Sequence, residues 1–590
     1  MTLFMPRWDW LGKILRPATT AGLALAAALW LPAGSAHAQS YSLVATFGGD
    51  LGDFPTGLIR DAAGNLYGTT QWGGGASWGA VFKVNPAGKE TVLYTFRGET
   101  DGGNPEAGLV MDSAGNLYGT TYQGGNMSGC TQIAMGCGVV FKLDTAGIET
   151  VLHTFSGGAD GANPLAGLIL DAAGNLYGTT AYGGAYGGGT VFKVDTTGTE
   201  TVLHNFTGAA DGGTPEAGLI LDAAGTLYGT TEYGGTFGLG TVFKVDANGG
   251  EMVLHSFSGP PDGAYPLAGL VLDAGGNLYG TTFQGGTPST CFSAGCGVVF
   301  KLASLNNETV LYSFSGGIDG ANPQAGVVQD GAGDLYGTTL QGGDTSSCFL
   351  ASCGVAFKLD PAGTETVLHA FGVGKNDGTN PFAALVPDNS GNFYGSTQYG
   401  VYGGTGRWGT VFKITPPGFS LSASSLAPDN LSPGASATST VKATAAGGFG
   451  GSITLTCSVQ PTLAALQCSI SPGSITPGKT AVLTVTTTAS ATGRMYSKAT
   501  QWPLFTVCMG LVGLSMAGIA GAEKRWARSI PMAFVCLLFV GLAFQLGCGG
   551  GNGGGSNGVT PAGTYTITVT GTSQSSGITP QTTQLTLTVQ

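Results

Sequence analysis

The chain has 590 residues, 106 of them glycine, with 9% charged residues and a formal net charge of -12. That length exceeds what a single hydrophobic core supports, so several domains are expected. Phosphate binding needs clustered Lys and Arg; with 22 such residues against 34 acidic ones, nucleic acid is not expected as a partner.

The N-terminus carries Arg7, Lys13 and Arg16, then an apolar run from Ala21 to Leu31, then Ala36-His37-Ala38. A basic segment, a short apolar segment and a small-x-small site in that order mark a secretory signal. Residues 1–38 therefore read as a signal peptide, with the mature chain starting at Gln39 after export across the inner membrane. The apolar run is too short to span a bilayer.

Residues 41–414 are a tandem repeat. The stretch Asp171-Ala-Ala-Gly-Asn-Leu-Tyr-Gly-Thr-Thr180 recurs seven times, around Tyr67, Tyr118, Tyr177, Tyr228, Tyr279, Tyr336 and Tyr394. A period near 50 residues signals a repeat architecture. Each unit holds four short apolar or β-branched runs bounded by Gly, Asp, Asn or Pro, which is the strand signature. Links such as Asp-Ala-Ala-Gly-Asn are tight turns in which Gly takes a positive φ. Four strands per unit, apolar on both faces, predict the blades of a seven-bladed β-propeller. The Val-Phe-Lys run (Ala356-Phe-Lys in one copy) appears seven times but the following Glu-Thr-Val-Leu run (Glu251-Met-Val-Leu in one copy) only six. Residues 41–47 are therefore expected to complete the last blade.

The loops after Thr-Thr and the interblade Asp-Gly-x-Asn-Pro loops fall on one face, where function is expected. Four of the former carry Trp72, Tyr182, Tyr233 and Tyr399. The interblade loops carry Asp101, Asp160, Asp211, Asp262, Asp319 and Asp377. These ten residues are the candidate ligand-binding set: aromatics to stack on sugar rings, and a ring of aspartates for calcium, a cation or a sugar. The competing reading is that the aspartates cap turns and the aromatics cover blade edges. His153, His204, His255 and His369 share one strand position in separate blades, so no shared metal or catalytic base is expected. No His-Glu-x-x-His motif is present. No catalytic residue, metal ligand or cofactor is assigned.

The remaining loops contain Cys130 and Cys137, Cys291 and Cys296, and Cys348 and Cys353. In an exported chain these local pairs read as disulfides, as do Cys457 and Cys468.

The repeat resembles the GloVer tandem repeat of "choice-of-anchor" bacterial surface proteins, through Leu-Tyr-Gly-Thr-Thr, Gly-Thr-Val-Phe-Lys and Asp-Gly-x-x-Pro across residues 41–414. That resemblance implies a surface repeat region followed by an anchor. It implies no activity and maps no catalytic residue.

Residues 419–490 and 560–590 read as the alternating strands of one bacterial Ig-like β-sandwich. Between them, residues 499–549 carry two apolar spans, 502–522 and 530–548, around the basic run Glu523 to Arg528. They predict a transmembrane helical hairpin with its loop inside, followed by a Gly-rich linker at 550–560. A rival for this segment is lipid attachment at Cys548. The expected fold class is thus all-β: a seven-bladed β-propeller with a C-terminal Ig-like β-sandwich interrupted by a two-helix transmembrane hairpin. The expected function is a non-enzymatic, membrane-anchored module facing the periplasm or exterior, binding a glycan or envelope protein. The alternatives are a glycan-active lyase or hydrolase and a purely structural envelope protein.

Overall fold

The computed structural model describes residues 40–489 and 559–590, apart from 49–51, 127–129, 131–134, 288–290, 292–293, 304–306, 344–352, 374–376, 401–407, 448, 574–577 and 579. The predicted signal peptide, hairpin, Cys348 and Cys548 lie outside the described residues, as does most of the Gly-rich linker.

The repeated decapeptide builds a turn and a strand. The Asp171 carboxylate accepts the backbone N–H of Ala173 at 2.9 Å and of Asn175 at 2.8 Å, then the Asn175 side-chain amide at 2.7 Å. The Tyr177 hydroxyl donates to the same carboxylate at 3.1 Å, and Lys193 sits 5.7 Å over the Tyr177 ring. Gly178 follows because a Cβ there would stand 2.7 Å from the Phe192 ring.

Strand β1 spans Ser40–Thr46. In the first repeat β2 (Asp53–Arg60), β3 (Leu66–Trp72), β4 (Ala80–Val84) and β5 (Glu90–Thr95) form one antiparallel four-stranded sheet in that order. Repeats two to six build equivalent sheets, and each outer strand carries a register shift opposite the Phe of Val-Phe-Lys or its counterpart. In the seventh repeat the fourth position is taken by β1, antiparallel to Thr410–Thr415 with Tyr41 opposite Ile414.

Consecutive sheets share their cores through edge-to-face phenylalanine pairs. Phe96 meets Phe141, Phe155 meets Phe192, Phe206 meets Phe243 and Phe257 meets Phe300, with centroids 5.0–5.2 Å apart. All eight rings are fully buried. Phe47, just past β1, makes the same pair with Phe82 of the first repeat at 4.7 Å. Each repeat also lays its last turn on the outer strand of the repeat before it: a Cβ on Gly249 would meet the Leu203 carbonyl at 2.7 Å.

The expected fold class needs correction. The described chain is all-β with no helix, and no helix there is long and apolar enough to cross a membrane. Among the described residues there is therefore no two-helix transmembrane hairpin interrupting a sandwich. The repeats form separate small sheets whose hydrogen-bond ladders do not run into one another, and the pairing identifies no closed propeller. Sequence periodicity specifies the four strands of a unit. Closure depends on contacts between units, which a period does not encode.

Downstream, a four-stranded sheet beginning with Gly418–Ala423 and a five-stranded sheet containing Gly563–Ser573 and Gln581–Val589 enclose one apolar core. Residues preceding 490 and following 558 in sequence thus share that core. Their Ig-like identity gains no support beyond this two-sheet layout.

Candidate functional site

The ten expected ligand-binding residues divide into two groups. The aspartates turn back onto their own loops. Asp101 accepts the Arg97 N–H and the Tyr94 hydroxyl, both at 3.0 Å, and Asp319 accepts the Ser315 N–H at 2.7 Å and the Tyr312 hydroxyl at 3.1 Å. Asp160 and Asp211 accept from Ser156 and Thr207, backbone and hydroxyl alike. Asp262 and Asp377 meet His255 and His369 at 3.2 and 3.0 Å. The turn-capping role accounts for these contacts.

The aromatics stay accessible: Trp72, Tyr233 and Tyr399 are 43%, 47% and 41% exposed, and Tyr182 is half-buried. Tyr233 packs edge-to-face on Tyr265 at 5.7 Å, and Tyr399 on Phe54 at 5.4 Å.

Tyr265 and Phe54 occupy a strained backbone position. The residue before the proline of each interrepeat loop is left-handed, with φ between 52° and 58° at Phe54, Asn104, Asn163, Thr214, Tyr265, Asn322 and Asn380. Asparagine tolerates that conformation, whereas bulky and β-branched residues do not. The four asparagines also donate their amides across the junction to the carbonyls of Gln71, Tyr122, Phe283 and Leu340. Thr214 and Tyr265 carry no such amide, and their two junctions flank the loop bearing Glu232 and Tyr233.

Three carboxyl groups gather at that loop, none of them in the expected set. The Glu232 carboxyl acts electrostatically on both the Tyr233 hydroxyl and the carboxyl group of Glu216. Burial, then the charges of Glu232 and Glu106, push the Glu216 carboxyl up to about 7. Burial also raises Glu106, which accepts the Gln71 amide at 2.8 Å and borders a small cleft with Phe54 and Phe382. Tyr122 and Tyr182 face the same acids: burial and then neighbouring charges, Glu216 among them, raise both phenols. Tyr186 and Phe237, 68% and 60% exposed, project from the loops of the third and fourth repeats. The arrangement can accept hydrogen bonds from a hydroxyl- or amine-bearing ligand and stack aromatic rings on its apolar faces.

The disulfides Cys130–Cys137, Cys291–Cys296 and Cys457–Cys468 are formed, and Cys353 is also disulfide-bonded. The last of the three joins the two C-terminal sheets. Such bonds belong to an extracellular or secreted protein.

No curated protein matches the chain. Among solved structures, it is similar to the extracellular domain assigned to a hybrid two component system of B. thetaiotaomicron. There the TM-score is 0.41 and the identity 10%, over 93% of this chain and 57% of that one. It is also similar to an S-layer protein, with TM-score 0.14 and 12% identity over 72% of this chain and 49% of the other. The chain spans about half the length of those structures, and likenesses this weak carry no functional argument. The Gloeobacter/Verrucomicrobia repeat matches residues 35–132, 130–292 and 291–452, which together cover most of the sequence. The chain therefore belongs to the Gloeobacter/Verrucomicrobia repeat family.

Proposed function

We propose that this extracellular repeat protein is a non-enzymatic binding module, and that the loops of repeats two to five take a neutral or amine-bearing glycan. One observation carries the reading: Tyr265 is held at a φ of 56° while its ring supports Tyr233, the neighbour in sequence of Glu232. Backbone strain at a non-glycine residue costs about 1–3 kcal/mol and persists where the surroundings over-determine it, as they do at ligand sites. Here it buys an aromatic platform beside an acid pair. Glu106, Glu216 and Glu232 set the ligand's charge, since a sulfated or uronate-rich chain would be repelled.

A hydrolytic reading has one supporting observation, the Glu216 carboxyl near 7 beside a second carboxyl group. Glycoside hydrolysis places its two carboxyls roughly 5–9.5 Å apart, on either side of the scissile bond. Glu216 and Glu232 act on each other as close electrostatic neighbours, which favours binding over hydrolysis. The test is a glycan array with the full secreted chain, run beside E232Q and Y233A. Binding to neutral or amino glycans that both substitutions abolish supports the proposal. Retained binding in both variants, or binding confined to anionic glycans, overturns it.

A further inference from the structure

The outer-strand histidines meet partners contributed by neighbouring segments. Five junctions between repeats bring together a residue late in one outer strand, the interrepeat aspartate, and the glutamate that starts the next outer strand; at the sixth, Tyr41 lies on His369 instead. From the second repeat onward the sets are His153, Asp160 and Glu200; His204, Asp211 and Glu251; then His255, Asp262 and Glu308. At two other junctions Tyr94 and Tyr312 replace the histidine and donate their hydroxyls to Asp101 and Asp319.

We propose that His255, Asp262 and Glu308 form a binding site for one divalent transition-metal ion of the zinc class. A ligand atom from each of the three lies within 4.8 Å of the others. His255 Nε2 is 3.2 Å from the Asp262 carboxylate. Glu308 Oε1 is shielded from water and has no hydrogen-bond partner, as at Glu149, Glu200, Glu251 and Glu365, but among the described residues only here do two further ligand atoms stand within reach of one ion. A shielded carboxylate oxygen without a partner is unfavourable, and a cation removes that penalty.

Asp262 is already oriented for ligation. The Gly263 N–H donates to Oδ1 at 2.7 Å, while the Ser258 N–H and hydroxyl donate to Oδ2 at 2.9 and 3.0 Å. Bonds of this kind fix a ligand's direction at metal sites.

The donor set selects the ion. One imidazole and two carboxylates suit zinc-class ions with water completing a four-coordinate shell. Calcium takes six to eight oxygens, which this junction does not supply. Tetrahedral coordination at about 2.0–2.2 Å sets ligand atoms roughly 3.4 Å apart; His255 and Asp262 already stand at about that spacing, and Glu308 closes by at most about 1.4 Å on binding.

The chain contains its own comparisons. In the two preceding junctions the histidine nitrogen stands farther from the aspartate, at 3.6 and 3.5 Å, and has no hydrogen-bond partner. Among the described residues only the 255/262/308 set brings its three ligand atoms within reach of one ion.

Metal-free full-length chain titrated with Co(II), as a spectroscopic probe for Zn(II), tests the site. One ion per chain is expected, with a visible d–d band that Zn(II) displaces and a thermal transition that Zn(II) raises. H255N and E308Q should each weaken binding at least tenfold; H204N and E251Q should leave it unchanged. Circular dichroism identifies a variant that fails to fold, and the remaining variant then decides. Absence of a saturable band in the wild type, wild-type binding by folded H255N or E308Q, or equal loss in H204N overturns the proposal.

Discussion

Tyr41 lies flat on His369, with ring centroids 4.1 Å apart and planes 9° from parallel. Strand β1 is thereby fastened to the outer strand of the sixth repeat, while its backbone pairs with the seventh. Phe371 meets the same tyrosine edge-on at 6.2 Å, and Phe412 lies 6.0 Å away. Replacing a packed aromatic by alanine removes both area and ring contacts. Tyr41→Ala is expected to lower stability by about 2–3 kcal/mol in denaturant unfolding, and Tyr41→Phe by well under 1 kcal/mol. Deleting residues 40–46 should lower the melting temperature further. An unchanged melt after deletion would show that β1 contributes nothing to the array.

Stability should fall as pH rises through neutrality. Burial first, then the charge of Asp101, Asp211 or Asp319, pushes Glu149, Glu251 and Glu365 up to about 7. A carboxyl whose folded pKa exceeds its unfolded value binds more protons in the folded state. Its contribution is complete below the unfolded value of 4.5 and is lost as pH rises to about 7. The turn aspartates act in the opposite direction: burial raises Asp171, but hydrogen bonds from Asn175, Tyr177 and Ala173 outweigh it and the net shift is downward. Their contribution is lost only as pH falls below the ordinary aspartate range. The melting temperature is therefore expected to peak in mildly acidic buffer and decline toward pH 8. The triple change E149Q, E251Q and E365Q should flatten that decline; an unaltered slope would assign it to other groups.

Gly57, Gly108, Gly167, Gly218, Gly269 and Gly326, which open the first strand or lead into it, touch one another from repeat to repeat. A Cβ on Gly326 would stand 2.7 Å from the Gly269 carbonyl oxygen, whereas on Gly218 the nearest atom is 3.6 Å away. Backbone cannot yield as a flexible side chain can, so overpacking here separates neighbouring sheets. Gly326→Ala should destabilise by about 1–3 kcal/mol and Gly218→Ala by much less. Equal effects would mean that loss of glycine's freedom, rather than crowding, dominates.

Sequence pattern and structure agree where the physics is local. The Asp-Ala-Ala-Gly-Asn turn, the paired strands around Tyr177 and the three disulfides follow from neighbouring residues, and each could be read directly. The candidate site could not, because it lies in departures from the repeat. Glu106 and Glu216 stand where other copies have Leu165, Leu267, Gln324 and Phe382. Attention to the repeated aspartates passed over those positions. The seven-residue spacing from His255 to Asp262 recurs in the sequence at His153 and His204, so two of the three proposed metal ligands were visible. Glu308 was not, because it arrives from the next repeat only once two sheets pack together.

Tyr265 offers a separation of stability from binding. In four other repeats an asparagine at this position relieves the left-handed backbone and bonds the carbonyl across the junction. Tyr265→Asn should therefore relax the strain and supply an amide donor for the Glu232 carbonyl. A gain of about 0.5–1 kcal/mol is expected in equilibrium unfolding. The same change removes the ring that supports Tyr233, so glycan binding should weaken by an order of magnitude or more while the protein becomes more stable. Thr214→Asn serves as the comparison, with a similar stability gain and no aromatic lost. If Tyr265→Asn destabilises the fold, the tyrosine is there for packing, and the strain at φ 56° has no connection with ligand binding.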